Sequence, residues 1–106
     1  MILPEYEQHP EAADELGAAV RWYADRNWDV ADVFVERVRT LLDDLRDWPR
    51  SGRAWLDWHR EPQVYSYGVK GYPYRIVYFL RDDEPVVVAF AHDRQRPGYW
   101  KHRLDN

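Results

Sequence analysis

The chain has 106 residues and a formal net charge of −4, which bounds it to one domain with a single modest core. It has no cysteine, so a disulfide framework, a thiolate nucleophile and a cysteine-based metal site are all excluded. With 19 acidic against 15 basic residues, the balance argues against strong non-specific binding to a polyanion, although six Trp, eight Tyr and three Phe offer much apolar surface to bury.

Met1–Glu7 lacks the basic-then-apolar order of a signal peptide, and no run of the chain is apolar for long enough to span a bilayer. The expectation is a soluble, cytoplasmic protein. Residues 2–8 read as a short first strand, ended by His9-Pro10. Pro10 suits the first turn of a helix, and Glu11, Asp14 and Glu15 place negative charge where the helix dipole favours it. Leu16, Ala19, Val20 and Tyr23 then recur at helical spacing, predicting a helix over about 10–26.

Asn27 breaks that pattern and is positioned to cap a second helix over about 29–48. Val30, Phe34, Val38, Leu41, Leu45 and Trp48 form its apolar stripe, with Asp32, Glu36, Arg39, Asp43 and Arg46 off it. Pro49 ends the helix, because proline has no N–H for the ladder. The two helices make an antiparallel hairpin, and Leu16, Val20, Phe34, Val38, Leu41 and Leu45 are the expected core.

Pro49–Arg53 reads as loop, Ala54–His59 as a helical turn or an extended piece, and Glu61-Pro62 as loop again. Val64–Val69, Tyr74–Arg81 and Pro85–Asp93 alternate as strands, with a tight turn at Asp82-Asp83. The order is β-α-α-β-β-β. This is an α+β fold in which a helical hairpin packs on one face of a three- or four-stranded antiparallel sheet.

Candidate functional residues gather near the C-terminal end. Arg75 faces away from Tyr74, Ile76 and Tyr78, so it shares a partly apolar sheet face with Val77 and Phe79. A guanidinium there needs either a structural carboxylate or an external anion. Arg94 and Arg96 alternate onto one face after the last apolar strand, suited to forked contact with phosphate or an acidic peptide, or else to solvent. His92 at the strand end is a candidate general acid or base. Tyr99 and Trp100 are candidates for stacking on a partner or for covering the core. The histidines show no metal-binding spacing, no phosphate loop or nucleophile motif is present, and no cofactor is implied.

Three segments carry a family resemblance: His9-Pro-Glu-Ala12, Gly71-Tyr-Pro-Tyr-Arg75-Ile-Val-Tyr78, and Arg94-Gln-Arg96-Pro-Gly-Tyr99-Trp100. The chain resembles the RelE/ParE superfamily of toxins from type II toxin-antitoxin modules. That resemblance implies the same β-α-α-β-β-β fold and a cognate antitoxin as partner, with operator DNA reached only through the antitoxin. RelE-like members cut messenger RNA on the ribosome with arginines matching Arg75 and Arg94, a C-terminal tyrosine and lysines on the preceding strand. Here Ser66 and Gly68 stand where those lysines fall, and the tyrosine position falls on Trp100 with Tyr99 adjacent. ParE-like members are associated with inhibition of DNA gyrase and need no such set.

The expectation is therefore a ParE-like toxin. A ribonuclease using Arg75, Arg94, His92 and Tyr99 is the alternative, and a non-toxic antitoxin-binding or structural domain is a further one. Arg94, Arg96, Tyr99 and Trp100 are the expected partner-binding residues.

Overall fold

A computed structural model describes residues 6–104. The chain runs β1 (Glu7–Gln8), α1 (Pro10–Ala24), α2 (Trp28–Asp47), β2 (Arg53–Ala54), β3 (Val64–Gly68), β4 (Tyr74–Arg81) and β5 (Glu84–His92), then a 3-10 turn at Lys101–Leu104. Residues 2–5 of the expected first strand lie outside the described residues.

Both helix starts follow from their caps. The His9 ring accepts the Glu11 N–H at 3.1 Å ahead of Pro10, and Asn27 Oδ1 accepts the Asp29 N–H at 2.9 Å. α1 buries Ala12, Leu16, Ala19 and Val20, while α2 buries Ala31, Phe34, Val35, Val38, Leu41, Leu42 and Leu45. All six residues expected in the core are therefore buried. The ends of the predicted stripe are not: Val30 is exposed and Trp48 is 72% exposed. At about 100° per residue these two coincide at one edge of the buried face, which is centred on Val38. Ala31, Val35 and Leu42 fill its other flank.

The sheet has five strands in the order β1-β5-β4-β3-β2, so the last strand lies near its middle. β1 pairs parallel with β5, through Glu7↔Val86 and Gln8↔Val87, and the other pairings are antiparallel. β2 joins Arg53, expected to be loop, to Ala54, expected to begin a helical turn or an extended piece. Its two residues, opposite Ser66 and Tyr65, are too few to show an alternation.

Asp82 and Asp83 form the β4–β5 turn with φ of 52° and 64°, between the paired residues Arg81 and Glu84. Both central residues of a type I′ hairpin turn need positive φ, and Asp tolerates it better than most. Counting straight back from that turn would set Arg75 opposite residue 90. A bulge at Val88 instead sets it opposite Ala91.

Alternation along β4 divides the interior in two. Ile76 and Tyr78 pack against the helices with Val87 and Phe90. Val77 faces the other way, with Val64, Val88, Ala89, Trp58 and Trp100. Thus the second face of the sheet is also covered, by the segment after α2 and by the C-terminal segment. Burying each such side chain stabilises the fold by roughly 1.5–3 kcal/mol relative to leaving it exposed.

Candidate functional site

The open end of the β4–β5 hairpin, where Tyr74 pairs with His92, holds most of the candidate residues. Arg75 is half-buried on the second face of the sheet. Its guanidinium lies across Gly68 of β3, where a Cβ would sit 3.3 Å from Nη1, so the missing side chain leaves its path open. Nε and Nη2 donate long contacts of 3.4 Å to Ser66 Oγ. Among the described residues no carboxylate neutralises it.

β5 stops at His92, earlier than the alternation of Arg94 and Arg96 requires. The Arg94 N–H donates to His92 Nδ1 at 3.0 Å, and the His92 N–H donates to Gln95 Oε1 at 2.8 Å. These bonds turn the backbone out of the strand. Arg94 and Arg96 therefore do not share a sheet face. Arg94 lines a cleft against α1, whereas Arg96 lines a small cavity of about 120 Å³ on the other side, together with Arg75. His92 lines both and stands edge-on to Tyr74, with ring centroids 5.0 Å apart. Because Nδ1 accepts a hydrogen bond, the neutral ring assigned from this network carries its proton on Nε2.

Trp100 is only 1% exposed and packs against Trp55 and Trp58, with centroids 5.1 Å and 5.9 Å away. This corrects its expected role at a partner surface: the indole is core. Tyr99 is half-buried, and its hydroxyl donates to Glu15 Oε2. Burial and then the bonded Glu15 carboxylate push its pKa above the ordinary tyrosine range, so it keeps its proton at neutral pH.

Sequence reasoning missed the role of Arg103. Arg103 is buried. It donates to Glu15 at 2.8 Å and 3.2 Å and to the Val88 carbonyl at 3.0 Å. Its Nε also lies 3.0 Å from Glu11 Oε2, a charge contact without hydrogen-bond alignment. Glu11 and Glu15 stand one turn apart on α1, and that spacing is the one signal in the sequence that a cation belongs there.

Two exposed guanidiniums, Arg94 and Arg96, and the half-buried Arg75 thus surround the hairpin end without a carboxylate partner among the described residues. Such a set can hold anions. Cleavage of RNA further needs a base for the 2′-hydroxyl and an acid for the leaving oxygen. Ser66 and Gly68 flank Arg75, and the Tyr99 hydroxyl is committed to Glu15.

The description "ParE toxin of type II toxin-antitoxin system, parDE" matches residues 6–97. The chain belongs to the ParE toxin family. Comparison with curated proteins and with solved structures gives no match. The ParE match spans β1 to β5 and runs on through Arg94 and Arg96, and it ends short of Trp100 and Arg103. Membership brings with it an antitoxin partner within a toxin-antitoxin module. Among the described residues, no helix is long and apolar enough to cross a membrane. Among them, too, no group of three or more His, Asp or Glu side chains is placed to hold a metal ion.

Proposed function

We propose that this ParE-family chain arrests growth by inhibiting DNA gyrase in the cytoplasm and is neutralised by direct binding of its cognate antitoxin. The observation that carries the choice of target is the neighbourhood of Arg75. Ser66, Gly68 and a Tyr99 hydroxyl already bound to Glu15 offer the guanidinium no proton carrier, which leaves His92 and Asp93 of that cavity to supply both the base and the acid that RNA cleavage needs. Arg94 and Arg96 are the exposed cations that a target or an antitoxin meets, and operator DNA is reached through the antitoxin.

A ribonuclease remains the second reading because His92 lines one cavity with Arg75 and Arg96, where its Nε2 is a candidate proton donor. The deciding experiment compares gyrase supercoiling with ribosome-dependent cleavage of mRNA, using purified protein. Loss of supercoiling without cleavage supports the gyrase reading. Cleavage that disappears in Arg75→Ala and His92→Gln supports the ribonuclease. If expression without the antitoxin leaves growth unaffected, the chain is a non-toxic antitoxin-binding module.

Truncation after Arg96 does not separate these readings, since it removes the core residue Trp100 and the buried Arg103. The pair Arg94→Ala and Arg96→Ala, both at exposed positions, is the cleaner change.

A further inference from the structure

Between α1 and the hairpin end lies an open cleft of about 590 Å³, of which the reading above uses Arg94 alone. Its floor and walls are apolar: Ala18 and Ala19 of α1, Phe90, Pro73, and the exposed ring of Trp22. The polar groups around it are mostly donors. Arg94 is exposed and has no carboxylate partner among the described residues. The hydroxyls of Tyr23 and Tyr74 make no hydrogen bond among those residues either. The Nδ1 of His92 is occupied as an acceptor, which leaves Nε2–H as a donor. Glu15 is the one carboxylate lining the cleft, and its oxygens already receive Arg103, Tyr99 and the Phe90 N–H.

An apolar trough ringed by donors that have no protein acceptor among the described residues is complementary to an apolar group that carries a carboxylate. We propose that this cleft receives a short acidic segment of the antitoxin, seating one large apolar side chain between Trp22 and Phe90 with a neighbouring carboxylate on Arg94. The assignment rests on the antitoxin reading above and specifies where and by what chemistry that partner is held. A nucleic-acid strand fits less well. It needs many cations along its path, whereas the chain is acidic overall and Arg94 is the one guanidinium lining the cleft. One face of the Trp22 ring is also covered, by the Arg26 guanidinium 3.6 Å from its centroid, and so cannot stack on a base.

The test measures the affinity of the intact protein for the antitoxin encoded by the adjacent reading frame, with Ala18→Trp to fill the trough and Arg94→Glu to reverse its charge. Both positions are exposed, and circular dichroism and thermal midpoint serve as folding controls. Each change is expected to raise Kd at least about tenfold, with Arg94→Lys retaining most of the affinity. A wild-type complex whose Kd moves less than about twofold in both variants would overturn the cleft assignment and leave the antitoxin reading standing.

If the wild-type protein forms no complex, the antitoxin reading falls. A second arm then reads the cleft alone, titrating capped Leu-Asp-Leu and Leu-Asn-Leu tripeptides against isotopically labelled protein. Saturable shifts at the Trp22 indole and the Arg94 amide with the aspartate peptide, and much weaker ones with its asparagine analogue, are expected. Equal responses, or none, would overturn carboxylate recognition.

Discussion

The carboxylate of Glu15 accepts two hydrogen bonds from the guanidinium of Arg103, at 2.8 Å and 3.2 Å, although the two residues stand 88 positions apart. Glu15 also accepts the Phe90 N–H at 3.2 Å, and Arg103 donates to the Val88 carbonyl. β1 covers the outer edge of β5 only at Val86 and Val87. Beyond that point the ion pair satisfies the backbone groups that a longer strand would otherwise bond.

Breaking this pair from one side is expected to be costly. Arg103→Met leaves the Glu15 carboxylate, with its side chain only 19% exposed, without its cation, and we predict a loss of about 3 kcal/mol in urea denaturation. The double variant Glu15→Leu with Arg103→Met should lose less than the sum of the two single changes. A loss below about 1 kcal/mol for Arg103→Met would mean that the pair behaves as a solvated surface contact.

The tryptophans separate core from surface. Trp100→Ala removes a fully buried ring and should destabilise the protein by about 3–5 kcal/mol. Trp48→Ala, at a position 72% exposed, should change stability by no more than about 0.5 kcal/mol. Equal effects in chemical denaturation would contradict the placement of the C-terminal segment against the sheet.

Alkaline pH should destabilise the fold through its tyrosines. Burial raises the pKa of Tyr6, Tyr23, Tyr74, Tyr78 and Tyr99 above the ordinary value of 10.0. Below pH 10 both folded and unfolded chains keep these protons, and stability is unaffected. Above it the unfolded chain releases protons that the folded chain retains, so stability falls with rising pH. Ultraviolet titration of phenolate should show part of the absorbance appearing only together with unfolding. Complete ionisation near pH 10 with the near-ultraviolet dichroism intact would refute this.

The β4–β5 turn is suboptimal in residue type. Asp83 holds a φ of 64° that glycine adopts without cost, and its contact with Arg50 at 3.2 Å joins two well-exposed side chains. Asp83→Gly is therefore predicted to stabilise the hairpin by up to about 1 kcal/mol, seen as a raised thermal midpoint. A lowered midpoint would show that the Arg50 contact outweighs the backbone strain.

The helical hairpin was legible because its information is local. Asn27, Pro10 and a stripe repeating every three or four residues each act within one or two turns. The strands from Val64 onward were legible for the same reason, as were the turn at Asp82-Asp83 and the opposite facing of Arg75 and Ile76. What escaped was non-local. Nothing near Glu7 announces a parallel partner at Val86, and β2 is too short to show a period. The bulge at Val88 shifts Arg75 by one residue without any glycine to mark it.

Among the candidate residues, the opposite facing of Arg75 and Ile76 was read soundly, whereas the alternation carried on to Arg94 and Arg96 failed. His92 bonds to Arg94 and Gln95, and those bonds end β5. Trp100 and Arg103 then turn inward to an aromatic cluster and a pair of carboxylates that lie far away in sequence.

The strand order has a consequence for how the molecule comes into being. β5 is made after every other strand, yet it sits between β1 and β4 and carries Val87 and Phe90 into one core and Val88 and Ala89 into the other. A chain still emerging from the ribosome without it holds a helical hairpin whose apolar face has only part of a sheet to rest on. The closing contacts, Glu7 with Val86 and Glu15 with Arg103, span most of the chain and carry the entropic cost of closing long loops. Any activity of the folded surface therefore begins only once β5 and Arg103 have left the ribosome.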